Sequence, residues 1–257
     1  VFDDSSGNSY SGISDKTSLT FTTADETAPN APSSLTNSSP RNDNTPIITG
    51  SAEAGSTVKL FSGSTLLGSG IADVNGAFSI TSSTLGDGIH SLTATATDAA
   101  GNTSSESSSL SITVDTTAPS APPSLTNTSP KNDNTPTITG SAEAGSIVKL
   151  YSDSTLLGFA TANSNGNFSI TSSTLGDGTH SLTATATDAA GNTSSESSSL
   201  SITVDTTAPG APTSLTNISP KNDNTPTITG SAEAGSTVKL YSGSTLNGNG
   251  AFSITSS

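Results

Sequence analysis

Three sets of acidic residues recur through the chain at a spacing of 90 residues. They are Asp25, Asp115 and Asp205, then Glu53, Glu143 and Glu233, and finally Asp98 and Asp188. Carboxylates are hard oxygen ligands, and Ca²⁺ takes about six to eight such oxygens from carboxylates, carbonyls and waters. A fold that gathers one member of each set would therefore create the charged part of a repeated calcium site.

Catalytic chemistry has no comparable support. Serine is abundant, but no G-x-S-x-G motif and no base constellation accompany it. His90 and His180 stand alone at the starts of predicted strands, where a structural role is favoured over metal ligation. Asp87 and the NDN sequence at 42–44 are interpreted as turn residues, because they lack the dense spacing of a calcium loop. We therefore expect no enzyme within this chain.

The composition excludes several kinds of partner. The net charge of −14 would be repelled by the phosphates of nucleic acids and anionic membranes. The absence of cysteine excludes disulfides and cysteine-based metal sites. No apolar run is long enough to span a membrane. Because the first residue is valine and no signal peptide is visible, we expect a piece of a longer protein.

Internal repetition gives the domain organisation. The sequence NDNTP begins at Asn42, Asn132 and Asn222, and residues 90–119 are identical to residues 180–209. Most differences between the copies fall between Thr57 and Ala77. The third copy is six residues shorter near Leu246 and stops before its second half. We predict the end of one module at 1–25, whole modules at 26–117 and 118–207, and a truncated module at 208–257, which cannot complete a sandwich alone.

Each copy contains short alternating runs separated by turn residues. In the first copy, Val58 and Leu60 alternate with Lys59, and the later run from His90 alternates Leu, Ala and Ala with threonines. Such period-2 patterns predict strands with one buried face. Counting a weak leading strand near Ser34, each copy has about seven strands. The fold class predicted is all-β: tandem immunoglobulin-like β-sandwich modules, each with a thin core of about a dozen side chains.

Several motifs resemble the bacterial Ig-like domains of giant adhesins and other surface proteins. The best markers are TITGSAEAGS from Thr137, DGTHSLTATATDAAGN from Asp177, and the VDTTAP linker from Val114. The resemblance covers residues 28–257 and is specific for fold and array. It implies an extracellular, cell-surface or secreted protein without enzymatic activity. It also implies Ca²⁺ as a cofactor, since some relatives bind it at module junctions and so stiffen the array.

The acidic sets fit such a junction by topology. In an Ig-like sandwich, the loops after the second and sixth strands lie at the same end as the incoming linker. Asp25, Glu53 and Asp98 would meet there, and Asp115, Glu143 and Asp188 would repeat the group. At the third junction Asp205 and Glu233 remain. The alternative is that Asp98 forms an Asx turn and that Glu53 is merely solvated.

Three functions remain open at this point. The first is a structural stalk, in which each module adds about 30–40 Å and Pro-containing linkers form semi-rigid joints. Its partners are the neighbouring modules of the same monomeric chain. The second is a carbohydrate- or protein-binding module, for which Phe61, Tyr151 and Tyr241 at one equivalent position give weak support. The third is an accessory region of a secreted hydrolase.

Overall fold

The computed structural model describes residues 25–242, 245–246 and 252–254, and all their regular elements are β-strands. The first repeat contains β1 (Ser33–Asn37), β2 (Ile47–Ser51), β3 (Thr57–Ser62), β4 (Thr65–Ile71), β5 (Ala77–Thr81), β6 (Gly88–Thr97) and β7 (Leu110–Val114). The second contains β8 (Leu125–Asn127), β9 (Thr137–Ser141), β10 (Ile147–Ser152), β11 (Thr155–Thr161), β12 (Asn167–Thr171), β13 (Gly178–Thr187) and β14 (Leu200–Val204). Among the described residues, no helix is long and apolar enough to cross a membrane. The predicted module end at 1–25 lies outside the described residues, apart from Asp25.

Two antiparallel sheets make up each whole repeat. In the first repeat the strand orders are β1-β2-β5 and β4-β3-β6-β7, and in the second they are β8-β9-β12 and β11-β10-β13-β14. Internal contacts divide the chain into two compact units. The first holds the described residues up to Ser120 together with Ala186–Ser195, and the second holds Ala121–Thr185 and the described residues from Glu196 onward. The predicted all-β fold of about seven strands per repeat is confirmed.

The apolar core of each repeat lies between its two sheets. In the first repeat twelve apolar side chains are buried in one cluster, which matches the thin core predicted from sequence. Val58 and Leu60 of β3 are fully buried, whereas Lys59 between them is exposed. Ile48 and Phe78 bury their side chains from the other sheet. The second repeat has an equivalent cluster. The alternation of apolar and polar residues therefore sets which face of each strand turns inward.

Serine side chains replace part of the strand ladder after β6. Ser104 Oγ accepts a hydrogen bond from the N–H of Ala96 at 2.9 Å, and Ser107 Oγ accepts one from the N–H of Ala94 at 3.0 Å. The N–H groups of the two serines donate to the carbonyls of the same alanines. Each hydroxyl also donates to the carbonyl of the residue after its own. The inner strand β6 thereby keeps its backbone groups paired beside an irregular segment.

The leading strands of the two repeats differ in length for a local reason. β1 begins at Ser33, which pairs with Ser51, and contains a bulge before Thr36. The second repeat has Pro123 at the position of Ser33, and β8 begins only at Leu125. Proline has no backbone N–H to donate to a ladder, so the pairing starts later.

The turn between β3 and β4 requires a left-handed backbone at its first residue. Gly63 has a φ of 55° in the first repeat, and Asp153 has a φ of 51° at the same place in the second. Glycine adopts this conformation freely, and aspartate is among the side chains that tolerate it best. The replacement of Gly63 by Asp153 in the second copy is therefore compatible with the same hairpin turn.

The described part of the third repeat pairs its strands differently. Its strands are β15 (Thr213–Asn217), β16 (Ile228–Ser231), β17 (Tyr241–Ser242), β18 (Thr245–Leu246) and β19 (Phe252–Ile254). The strand β16 pairs with β19 in parallel, whereas the equivalent β2 and β5 pair antiparallel. The six residues by which this copy is shorter correspond to most of β4 in the first repeat. The prediction that 208–257 cannot complete a sandwich alone stays a prediction.

Candidate functional site: contacts on the linkers

The loop after β6 is closed by its own aspartate. Asp98 Oδ1 accepts a hydrogen bond from the N–H of Asn102 at 2.8 Å, and Asp98 Oδ2 accepts one from the side-chain amide of Asn102 at 2.9 Å. The N–H of Gly101 donates to the Asp98 carbonyl. Asp98 therefore forms the Asx-type turn that the sequence allowed as an alternative to metal binding.

The amide of Asn102 also reaches the incoming linker. Its nitrogen Nδ2 lies 2.9 Å from the carbonyl oxygen of Asp25 and 3.4 Å from that of Thr27. One amide group thus joins the loop aspartate to the backbone of a segment 77 residues earlier. The contact uses the Asp25 carbonyl and the intervening Asn102, and the metal site expected from Asp25, Glu53 and Asp98 stays a prediction.

The second copy of this contact is formed by Asp115, Asp188 and Asn192. The side-chain amide of Asn192 donates to the carbonyl oxygen of Asp115 at 2.8 Å and to Asp188 Oδ2 at 2.9 Å. Asp188 Oδ1 accepts hydrogen bonds from three successive backbone N–H groups of its loop. Both loops therefore present an asparagine amide, held by an aspartate, to the backbone of a linker.

The opposite end of the first repeat holds the outgoing linker through Asp87. Asp87 Oδ1 accepts hydrogen bonds from the N–H and the hydroxyl of Thr116, each at 2.8 Å. Asp87 Oδ2 accepts one from the hydroxyl of Thr117 at 2.6 Å. The N–H of Asp115 donates to the carbonyl of Arg41 at 2.9 Å, which anchors the start of the same segment. Asp87, which the sequence predicts only as a turn residue, therefore accepts hydrogen bonds from the backbone and the side chains of the linker.

The second repeat has the same arrangement at its outgoing linker. Asp177 Oδ1 accepts from the N–H of Thr206 at 2.9 Å and from its hydroxyl at 2.7 Å. Asp177 Oδ2 accepts from the hydroxyl of Thr207 at 2.7 Å. The N–H of Asp205 donates to the carbonyl of Lys131 at 2.8 Å. A contact that recurs with the same donors is a property of the repeat.

These hydrogen bonds stabilise the ionised carboxylates. The hydroxyl of Thr117, followed by the N–H of Thr116, lowers the pKa of Asp87 below its ordinary value. The side-chain amide of Asn102 lowers the pKa of Asp98 in the same way. For Asp188, partial loss of water acts in the opposite direction, but the hydrogen bonds from its loop outweigh it and the pKa is lowered. The aspartates at both ends are therefore held in the charged form.

The predicted glutamates lie in tight turns. The carbonyl of Glu53 accepts hydrogen bonds from the N–H and the hydroxyl of Ser56, and Glu143 and Glu233 repeat this with the serine three residues later. The Glu53 side chain borders a shallow hollow lined by Asn30 and Ser51. The carboxylate of Asp205 accepts the N–H of Thr207. These contacts place the glutamates on exposed turns near the start of β3 or its equivalent.

The oxygens around the amide of Asn102 are of the kind that bind Ca²⁺, but they already accept hydrogen bonds from that amide. Asp98 Oδ2 and the carbonyls of Asp25 and Thr27 surround the amide nitrogen of Asn102. A cation would bind through the remaining lone pairs of these oxygens or displace the amide nitrogen from them. Among the described residues, no three acidic or histidine side chains lie close enough together to hold a metal ion. The calcium site stays a prediction.

The aromatic position considered for ligand binding is only partly accessible. Phe61 pairs with Leu66 on the neighbouring strand, and Tyr151 pairs with Leu156 in the second repeat. Both aromatic side chains are half-buried, whereas Tyr241 is 54% exposed. His90 Nε2 lies 2.8 Å from the carbonyl of Gly86, which agrees with the structural role expected from sequence.

The linker contacts were not predicted from the sequence. The sequence predicts turns at Asp87 and Asn102 and a linker at VDTTAP, but it predicts no pairing between them. One signal points to them: the identical segments Thr97–Pro119 and Thr187–Pro209 contain the asparagine and both threonines. The pairing itself joins residues 29 or more positions apart, which no local pattern indicates.

The chain matches one protein family and is similar to several solved structures. The family model of the bacterial Ig-like domain matches residues 15–116 and 125–206. Among solved structures, the chain is similar to the BSP domain of a biofilm associated protein (20% identity, TM-score 0.27, covering 68% of this chain and 30% of that one). It is also similar to fibronectin(III)-like modules of Clostridium thermocellum CbhA (22%, 0.40, 66% and 94%) and to the human OSCAR ligand-binding domain (16%, 0.29, 68% and 100%). The chain thus spans less than a third of the biofilm-associated structure. The sequence matches no curated protein.

Proposed function

Because the chain belongs to the family of bacterial Ig-like domains, we propose that it is a non-enzymatic spacer. It forms part of the stalk of an adhesin-like protein that is secreted or held at the bacterial cell surface. Its partners are the neighbouring modules of the same chain, arranged as a monomeric array. The net charge of −14 disfavours nucleic acid as a partner and makes neighbouring stalks repel one another.

One observation carries the spacer proposal: the two whole repeats have equivalent strands and equivalent cores at a spacing of 90 residues. Ile48, Leu60 and Leu92 are fully buried in the first repeat, and their counterparts Ile138, Leu150 and Leu182 are fully buried in the second. A binding function would call for a distinctive groove or loop in one copy. Repetition of one core instead adds length, at about 30–40 Å for each module of this strand length.

The spacer proposal is tested by measuring how far the chain extends from a surface to which it is anchored. The chain is anchored to a surface by its C-terminus, and the height of a fluorophore at its N-terminus is measured. Deletion of residues 118–207 removes one whole period and joins equivalent positions, so the height should fall by about 30–40 Å. A matched control replaces the same residues by a flexible Gly/Ser segment of equal length, which should give a broad and variable height.

Two outcomes would contradict the spacer function. The first is an unchanged height after the deletion. The second is specific binding of the intact chain on a glycan array, lost when one repeat is removed, which would favour the binding module considered from the sequence. Both results can be attributed to the loss of one repeat, because the deletion leaves the sequence on either side of the new junction unchanged.

Calcium at the junctions belongs to this proposal as a second component. The support is the oxygen set around the amide of Asn102, which contains one carboxylate and two carbonyls. When bound, Ca²⁺ would supply charge neutralisation and a fixed coordination geometry. Calorimetric titration of the chain with Ca²⁺ tests it. Heat of binding and a higher melting temperature are expected, and the absence of both would defeat the site.

A further inference from the structure

The linker Asp115–Thr117 is held by two side chains that are distant from it in sequence. Asp87 accepts three hydrogen bonds from Thr116 and Thr117, and Asn192 donates one to the carbonyl of Asp115. The N–H of Asp115 is also paired, with a carbonyl oxygen of the first repeat. The segment thus has backbone and side-chain partners on both sides.

We propose that the linker Asp115–Thr117 is a clasped segment, fixed by the carboxylate of Asp87 in the GDG turn behind it and by the amide of Asn192 in the AGN loop ahead of it. The clasp limits the freedom of the joint through hydrogen bonds within the chain, without a metal ion. This inference deepens the spacer function and rests on it, since a spacer transmits position only if its joints are stiff.

The energetic argument begins with the linker's own freedom. Each linker residue that is fixed in one backbone conformation loses conformational entropy, so a linker without such contacts would remain mobile. Hydrogen bonds to a charged acceptor are stronger than those between neutral groups, and Asp87 receives three of them. Pro119 follows closely, and its fixed φ restricts the next part of the chain. The clasp and the proline together restrict the backbone of residues 115–119.

Recurrence is the second line of support. The incoming half of the clasp occurs at Asn102 on the Asp25 carbonyl and again at Asn192 on the Asp115 carbonyl. The outgoing half occurs at Asp87 and again at Asp177. At each asparagine the loop aspartate holds the amide in place through its own carboxylate. Both halves of the clasp therefore belong to the repeat and not to one copy of it.

The test uses the complete chain, which contains no cysteine and so accepts labels at chosen positions. Spin labels are placed at Val74→Cys and Ser164→Cys, equivalent and exposed turn positions of the two repeats. The width of the distance distribution between them is measured in excess EGTA and in Ca²⁺. The wild-type clasp should give a narrow distribution of the same width in both solutions. The variant Asp87→Ala/Asn192→Ala should give a distribution at least about twofold broader.

Hydrogen exchange provides the local readout and an internal control. In EGTA, Asp87→Ala should speed exchange of the Thr116 amide by at least about tenfold, while the Thr206 amide, which donates to Asp177, should not change. Slow exchange of the core amides in β3 and β6 confirms that the variant is folded. If it is not, Thr117→Val removes one clasp donor at an exposed position and should broaden the distance distribution.

The proposal is overturned if the wild-type distribution in EGTA is as broad as that of the double variant. It is also overturned if only Ca²⁺ narrows the distribution, because the ion and not the clasp would then stiffen the joint. The spacer function is judged separately: deletion of 118–207 can shorten the reach even when the joints are mobile.

Discussion

At the scale of single residues, Gly50 is fixed by the aromatic ring that lies against it. A Cβ at this position would lie 2.6 Å from Phe78 Cζ and 2.9 Å from the backbone oxygen of Ser33. The backbone oxygen cannot move without disturbing β1, so the substitution overpacks the site. We expect Gly50→Ala to lower the free energy of unfolding by about 1–3 kcal/mol, measured by denaturant titration.

A glycine in open surroundings is the matched control. A Cβ at Gly86 meets no heavy atom within 4 Å. Gly86→Ala should therefore leave the unfolding midpoint close to that of the wild type. Equal effects of the two substitutions would mean that Phe78 moves aside freely, which would contradict the tight packing. The alternation of β2 placed Gly50 on the inward face, but the ring that fills its missing side chain comes from another strand and has no local signal.

At the scale of elements, the segment after β6 depends on two buried hydroxyls. Ser104→Ala removes the acceptor of the Ala96 N–H and leaves that group buried without a partner. Loss of such a partner costs about 1–3 kcal/mol. We expect a matching decrease in the free energy of unfolding, with faster hydrogen exchange at Ala96.

The neighbouring residue Ser105 is exposed and provides the control. Ser105→Ala keeps the carbonyl that accepts the Ser104 hydroxyl, so stability should remain within experimental error. If Ser104→Ala were equally neutral, water would have to replace the hydroxyl, and the serine would not be needed for the pairing of β6.

The regular strands were predictable, whereas this segment was not. Runs such as Val58-Lys59-Leu60 alternate strictly, and the structure places their apolar residues inside. The segment from Thr103 to Ser109 contains only polar residues, so its sequence resembles a loop. It nevertheless lies along β6, because serine hydroxyls provide hydrogen bonds that a strand backbone would otherwise provide. Hydrophobic periodicity cannot detect pairing that is made by polar side chains.

At the scale of the whole molecule, seven aspartates among the described residues share a lowered pKa caused by hydrogen bonds. They are Asp43, Asp87, Asp98, Asp133, Asp177, Asp188 and Asp223. Because the folded-state pKa lies below the ordinary aspartate value of about 3.9, these groups add stability above that pH. The contribution disappears as the pH falls through the lowered values.

We expect the melting temperature to be nearly constant from about pH 7 to pH 5 and to fall below about pH 4. Scanning calorimetry of the chain across this range measures it. Asp87→Asn/Asp177→Asn should flatten part of the decline, since two of the titrating groups are gone. A melting temperature that stays constant or rises down to about pH 2.5 would contradict the role of these hydrogen bonds.

The arrangement of the whole chain was more predictable than its linkers. The spacing of 90 residues indicated two equal modules, and the structure has equivalent cores in both. The domain boundaries at 26–117, 118–207 and 208–257 stay predictions. The clasps depend on loops that meet over separations such as the 77 residues between Asp115 and Asn192. These contacts between loops and linkers depend on how the sheets fold, so they are visible in the structure and not in the sequence.

The identity of residues 90–119 and 180–209 has a consequence for how the chain assembles. The inward side chains of β6 and β13 are the same, so β3 fits either strand equally well. Side-chain packing therefore does not distinguish β6, the native partner, from β13. Exchange of strands between neighbouring repeats is a characteristic folding error of such arrays. Only chain connectivity favours the correct choice, since the shorter loop loses less entropy on closure. This entropic advantage grows only slowly with the difference in loop length. Synthesis of one repeat before the next therefore protects against strand exchange more than the sequence does.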